Sequence, residues 1–249
     1  MTARKLFRSI GTLESCFKEK FGTPRQPALV TASRAKLRVK AAFIPAQSLK
    51  GLAEFSHVWL LSYFHLNTNK IFLSTVHPPR LKGKTVGVFA SRAPHRPSSI
   101  GLSLARLLAV DGDTLHLAEV DLVDGTPILD VKPYIPAYDS VPEASAGWTA
   151  GVASRELQVE FEPSALKEAL RLEGPERPHL VRLIEQTLRQ DMRNPRDKSQ
   201  LKDGKRLAYF LYDTDVRYEV RDGVARVVEL VPAETVKMAK KVAVPPELE

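Results

Sequence analysis

The sequence predicts a mainly β protein carrying a small α+β domain at its C-terminal side. Short apolar runs of strand length fill the chain up to residue 134, Asp-Gly turns separate them, and helix-like apolar spacing begins only after residue 163. Leu37, Val39, Ala41 and Phe43 alternate with Lys36, Arg38 and Lys40, the period-two pattern of a strand with one buried face. A short helix is expected at 46–54. Further strands are expected at 58–64, 86–90, 102–110, 114–120 and 128–134, with hairpin-type turns at Asp111-Gly112-Asp113 and Asp124-Gly125. Many short strands with little helix between them favour a barrel or a sandwich over a doubly wound sheet. The run 135–151, rich in Pro, Ala, Ser and Gly, reads as a connection, and 152–161 as one more strand of the first domain.

A boundary is expected at residue 163, giving domains 1–163 and 164–231 and a frayed tail, 232–249. Pro163 opens a helix-like run to Leu172. Pro178, at an expected first helical position, leads 179–191, where Leu180, Leu183, Ile184 and Leu188 share a face. Strands at 207–212, 216–220 and 224–230, the last two joined by Asp222-Gly223, complete a small α+β unit. Tyr209 and Tyr212 alternate within a strand, a pattern that suits core packing better than base stacking.

The 249 residues, 43% hydrophobic and 27% charged, are ordinary for a globular chain with a sizeable core. A lone cysteine, Cys16, permits no internal disulfide and points to a reducing compartment, so a cytoplasmic location is expected. The first sixteen residues have no continuous apolar stretch, and no window reaches a membrane-spanning length, which argues against export or membrane insertion. The net charge of +8 is uneven: residues 1–40 hold ten basic side chains against two acidic, and 177–206 hold nine against four. Two separated basic regions suit a polyanion that spans both domains. The six histidines show no clustered ligand spacing, so no metal is expected.

The densest chemistry lies in VGVFASRAPHRPSSIGLS (86–103) and, eighteen residues beyond its end, DLVDGTP (121–127). These segments place Arg92, His95, Arg96, Asp121 and Asp124 in turns between apolar runs, where a rigid scaffold carries binding and catalytic loops. With Ile10-Gly11, FKEKFG (17–22), PRQP (24–27), FSHVW (55–59), Phe64-His65 and PPR (78–80), they resemble the signature of the TsaA/TrmO-like family over residues 8–136. The segment 177–218 resembles the extra domain of that family's bacterial branch.

The resemblance implies a single-sheet β-barrel that binds S-adenosylmethionine without a Rossmann crossover, acts as a homodimer with sites near the subunit interface, and methylates N6 of threonylcarbamoyladenosine at tRNA position 37. In agreement, no GxGxxG motif follows a first strand. The family carries cofactor contacts onto Pro24, Arg25, Gln26, His65, Arg92, Leu102, Asp124, Gly125, Thr126 and Pro127. Arg25 or Arg92 suits the cofactor carboxylate, and Asp121 or Asp124 supplies negative charge near a sulfonium.

Direct in-line transfer needs alignment more than covalent help, aided by a proton acceptor at the target nitrogen. Acceptor candidates are His65, His95, Asp121 and Asp124. Arg189, Arg193, Arg196 and Lys198 are the expected RNA contacts. Two other readings stay open: a methyltransferase acting on a different substrate, and an RNA-binding module without catalysis. Ser98-Ser99 stands where the family has Asn-Pro, Cys16 where Pro is common, and Leu66 where a polar residue is frequent. Loss of the proline is expected to loosen the central loop.

Overall fold

The computed structural model describes residues 8–67, 71–78, 81, 83–150, 156–193 and 205–232. Strands β1 (Gly11–Ser15), β2 (Arg34–Val39), β3 (His57–Tyr63), β6 (Ile100–Asp111), β7 (Thr114–Ala118) and β8 (Thr126–Pro133) close into an antiparallel barrel of order β1-β2-β7-β6-β3-β8. The barrel is sealed where Gly11 and Leu13 of β1 pair with Ile128 and Thr126 of β8. Of the two architectures open to the alternating runs, the barrel is the one formed. Inward-facing Leu13, Leu37, Leu60, Leu115, Leu117 and Ile128 are fully buried, and each contributes about 1.5–3 kcal/mol of apolar burial.

Five of the expected strands recur as β2, β3, β6, β7 and β8, although β2 ends at Val39 and the chain then turns, so that Ala41 and Phe43, expected on its buried face, are exposed. The run 86–90 does not stay extended: β5 (Val86–Gly87) pairs only with β4 (Thr75–Val76), and Val88–Ala90 turns into a 3-10 helix. The expected helix at 46–54 is two 3-10 turns, Ala46–Leu49 and Leu52–Glu54, split by Gly51 at φ +82°. β1 was not foreseen, because GTLES offers a single apolar side chain, Leu13, to signal a buried face.

The second unit has a four-stranded sheet of order β10-β11-β12-β9 covered by α2 (Pro163–Leu172) and α3 (Leu180–Arg189). Its strands are β9 (Gln158–Phe161), β10 (Leu207–Leu211), β11 (Thr214–Arg221) and β12 (Val224–Pro232); α1 (Pro136–Asp139) is a single turn in the connection. The strand expected at 152–161 as part of the first domain therefore belongs to the second sheet, where Val159 and Phe161 run parallel against Ala225 and Val227. A closed barrel has no free edge to receive it, whereas β12 does. Helix α3 starts at Leu180, two residues after Pro178, because His179 caps it in the left-handed region at φ +58°. Leu180, Leu183, Ile184 and Leu188 form its buried face, as their spacing predicts.

Because neighbouring strands alternate in direction, the β1–β2, β3–β6 and β7–β8 connections (16–33, 64–99 and 119–125) all leave one end of the barrel. The second domain lies against the first of them. Phe17 bridges Leu211, the Tyr212 N–H donates to the Cys16 carbonyl at 2.7 Å, and Gln186 accepts from the Ala32 N–H at 2.9 Å while donating to Thr31 Oγ1 at 2.9 Å. Tyr209 is buried edge-on to Tyr218, in the core as expected. No helix among the described residues is long and apolar enough to cross a membrane.

Candidate active site at the barrel mouth

The inward side chains change character along the barrel. Below lie leucines; at the end with the three long connections lie Ser15, Ser33, Ser62, Ser103 and Thr126, all buried. Ser33 accepts from the Val120 N–H at 2.9 Å, Thr126 donates to the Val123 carbonyl at 2.6 Å, and Ser103 donates to Asp121 Oδ1 at 2.5 Å. This hydroxyl layer anchors the 119–125 turn to the strands beneath and makes a polar floor.

Five loop segments interlock above it. Asp124 Oδ1 accepts from the Ser15 N–H at 2.9 Å, Asp124 Oδ2 pairs with Lys18 Nζ at 3.1 Å, and the Asp124 and Gly125 amides donate to the Phe17 and Leu13 carbonyls. Lys20 Nζ donates to the Leu66 carbonyl, tying 15–20 to 64–67. Arg92 Nη1 donates to Gln26 Oε1 at 2.7 Å, tying 24–27 to 88–99. Asn67 donates to the Pro94 carbonyl at 3.0 Å, and its Oδ1 lies 3.1 Å from His95 Nδ1. The mouth is thus ringed by backbone and side chains from 15–20, 24–27, 64–67, 88–99 and 119–125.

Gly125 sits at φ +81°, and a Cβ there would lie 4.0 Å from His65 Nε2, so the missing side chain leaves the space beside the imidazole open. Burial, reinforced by the charge of Lys20, pushes His65 below its ordinary value, so the ring is neutral at pH 7. Burial pushes the Asp121 carboxyl up to about 6 against the opposing effects of the Ser103 hydroxyl and Arg92. Burial also pushes the Cys16 thiol up to about 12, which leaves it a packing residue.

The structure brings Gln26, His65, Arg92, His95, Asp121, Asp124, Gly125 and Thr126 to this one mouth. Pro24 is buried and Arg25 exposed on the same loop as Gln26, and Pro127 is buried beside Thr12 in the barrel wall. Leu102 is not among them: on β6 its side chain points out of the barrel, 56% exposed, opposite Leu61. Arg189 pairs with Glu185, and Arg193 grips Asp191 at 2.8 and 3.2 Å. Arg196 and Lys198 lie outside the described residues.

Sequence reasoning passed over Lys18, Lys20, Asn67 and Ser103. Ser103 was readable, since it shares the inward phase of Gly101 and Ala105 on β6, whereas Lys18 looked like any surface lysine. The Ser98-Ser99 departure has a different effect from the loosening expected. Ser99 takes φ +49°, its N–H donates to the Arg96 carbonyl at 3.2 Å and its carbonyl accepts from the Phe64 N–H at 2.8 Å. Proline can adopt neither that φ nor that donor role. The backbone of Leu66 takes the place of a polar side chain there, accepting Lys20.

A closed antiparallel barrel with carboxylates, an imidazole and a bound guanidinium around one hydroxyl-floored mouth defines a barrel-based loop-cleft enzyme, built without the strand–glycine loop–helix unit of nucleotide-binding folds. Residues 12–140 match the tRNA-methyltransferase O N-terminal domain and 154–233 the TrmO C-terminal domain, and the chain belongs to that family. It is 40% identical to the Escherichia coli tRNA (adenine(37)-N6)-methyltransferase over 91% of this chain and 97% of that one. A Pseudomonas aeruginosa protein named as a candidate S-adenosylmethionine-dependent methyltransferase is 40% identical over 89% of this chain and 95% of its own. The crystal structure of TrmO from Pseudomonas aeruginosa superposes with a TM-score of 0.77 at 36% identity, covering 93% of this chain and 99% of that one.

Proposed function

We propose that the protein is an S-adenosylmethionine-dependent tRNA methyltransferase that converts threonylcarbamoyladenosine at position 37 to its N6-methyl form by direct in-line transfer. The observation that carries the reading is the convergence of Gln26–Arg92, His65, Asp121 and the Asp124-Gly125 turn on one barrel mouth. S-adenosylmethionine supplies an electrophilic methyl group on a sulfonium. The donor set fits it: Arg25 and Arg92 are cations for a carboxylate, Asp121 and Asp124 offer negative charge near a sulfonium, and the bare Gly125 leaves room that a Cβ would fill. Thr126 and Pro127 begin the strand that fixes this turn.

Alignment is the main task of the mouth, because an in-line path with reacting atoms about 3–3.5 Å apart supplies several kcal/mol. The interlocked loops serve it by holding their polar groups before the substrates arrive. The adenosine leaves the anticodon-loop stack to enter, and phosphate contacts hold the RNA while it does. Arg189, Arg193, Arg196 and Lys198 are assigned to that grip, on a domain packed against the same end of the barrel.

The outer face of β3 and β6 supports a homodimer. Leu102 and Leu108 are 56% and 46% exposed, with Leu61 and Trp59 partly exposed beside them. Leu102 meets a cofactor only across such an interface. Leu102→Asp is expected to yield monomers in light scattering and to lower activity; a dimer retained at low micromolar concentration would point to another face.

Mass spectrometry of tRNA nucleosides after incubation with methyl-labelled S-adenosylmethionine tests the function. Label is expected only in tRNA that already carries the threonylcarbamoyl group. Label in tRNA lacking it would correct the substrate, and cofactor binding without tRNA labelling would favour a different methyl acceptor.

A further inference from the structure

Four side chains at the mouth are chemically able to accept a proton from the target nitrogen, and their surroundings differ. Both oxygens of Asp124 are engaged, one by the Ser15 N–H and one by Lys18, so this carboxylate closes loops. His95 faces the amide oxygen of Asn67 through Nδ1. His65 is buried near Lys20, and both conditions oppose proton uptake. Asp121 is different: Oδ1 accepts the Ser103 hydroxyl at 2.5 Å, the carboxyl's other hydrogen bond comes from its own backbone N–H, and no cation pairs with it as Lys18 pairs with Asp124 among the described residues.

Resting on the methyltransferase reading above, the geometry points to Asp121 as the group that receives the N6 proton, with Ser103 as the residue that positions its carboxylate. Ser103 faces inward from β6, between Gly101 and Ala105, so the strand's own pleat fixes the hydroxyl. Ser103 holds Oδ1 from one side, and Oδ2 is the oxygen that this assignment gives to the substrate. Of the charged groups, Arg92 bears on Asp121 from the loop before β6, and Asp124 on the same turn is neutralised by Lys18.

The step balances without another reactant. As the N–C bond forms, the C–S bond of the donor breaks and its electron pair returns to sulfur as a neutral thioether. The nitrogen, now carrying one hydrogen too many, passes its proton to the Asp121 carboxylate. A base is most useful when its proton affinity lies near the working pH, and burial moves Asp121 toward that range while it moves His65 away.

Ser103 donates to the ionised form of Asp121, so removing the hydroxyl makes the carboxyl harder to ionise. Single-turnover methyl transfer to threonylcarbamoylated tRNA, measured across pH for the wild type, Ser103→Ala, Ser103→Thr and Asp121→Asn, tests this. The wild-type rate is expected to rise through about pH 6 to a plateau. Ser103→Ala is expected to move that rise upward by roughly one pH unit and to slow transfer at pH 6 roughly fivefold or more, with cofactor affinity little changed. Ser103→Thr keeps the donor and is expected to restore the wild-type profile, which a merely structural role for Ser103 would not require. Asp121→Asn is expected to lose roughly a hundredfold or more at every pH.

A wild type that methylates tRNA while Ser103→Ala leaves the rise unmoved would overturn the assignment, as would a rise that disappears in His65→Gln but survives in Asp121→Asn. Should Ser103→Ala fail to fold, Ser103→Cys offers a weaker donor in a similar volume, and an unshifted profile there overturns the assignment equally. Absence of label in threonylcarbamoylated tRNA at any pH, with cofactor bound, would instead sink the functional reading and this inference with it.

Discussion

Asp121 and Asp124 are three residues apart on one turn, yet their surroundings give them opposite tasks. Asp124 commits both oxygens to Ser15 and Lys18, while Asp121 commits one to Ser103 and is raised by burial to a proton affinity near neutrality. That burial makes a stability prediction with a definite sign. A carboxyl whose native value is raised binds its proton more tightly folded than unfolded, so the fold loses stability as pH rises from the ordinary carboxylate range through about 6. Asp121→Asn is therefore expected to stabilise the protein at pH 8, by at most about 2–3 kcal/mol, and to gain nothing at pH 4. Thermal unfolding at both pH values checks it; an equal gain at both would mean that packing, not charge burial, sets the effect. Ser99 makes a second prediction at this scale. Ser99→Pro removes a donor and forbids φ +49°, so it is expected to cost about 1–3 kcal/mol and weaken cofactor binding in calorimetry, although it restores the residue common in the family.

At the scale of elements, the legible parts were those whose signal is local. β3, β6, β7 and β8 and helices α2 and α3 announce themselves by period, and the mouth by the crowding of charged residues between them. β1 was hidden because five residues with one leucine carry almost no pattern, and β9 was misplaced because alternation reveals a strand but not its sheet. Close approach was also invisible: a Cβ on Gly101 would come within 2.5 Å of Ser62 Oγ and 2.7 Å of the Phe64 ring across the β3–β6 pair. Gly101→Ala must shift the strand or the ring, at a cost of about 1–3 kcal/mol in denaturant unfolding. A change below about 0.5 kcal/mol would mean that the pair yields easily there.

For the whole molecule, the second domain, with its basic stretch 177–206, bears on the active end in two ways that experiment can separate. Gln186 holds Thr31 and Ala32 at the end of the loop that carries Pro24, Arg25 and Gln26, so the domain buttresses that loop as well as offering cations to RNA. The cations are not equivalent. Arg193 and Asp191 have side chains only 18% and 11% exposed, so Arg193→Ala takes a close cation from a nearly buried carboxylate and is expected to destabilise the domain, whereas Arg189 and Glu185 are 45% and 41% exposed and their pairing contributes little. An RNA footprint is better read from Arg189→Ala combined with Arg196→Ala. If both arginines meet phosphates, the slope of log affinity against log salt falls by about 2 in magnitude while cofactor affinity holds. An unchanged slope would remove these arginines from the footprint, leaving the domain the role that Gln186 already gives it, and charge near the barrel mouth would then have to hold the tRNA.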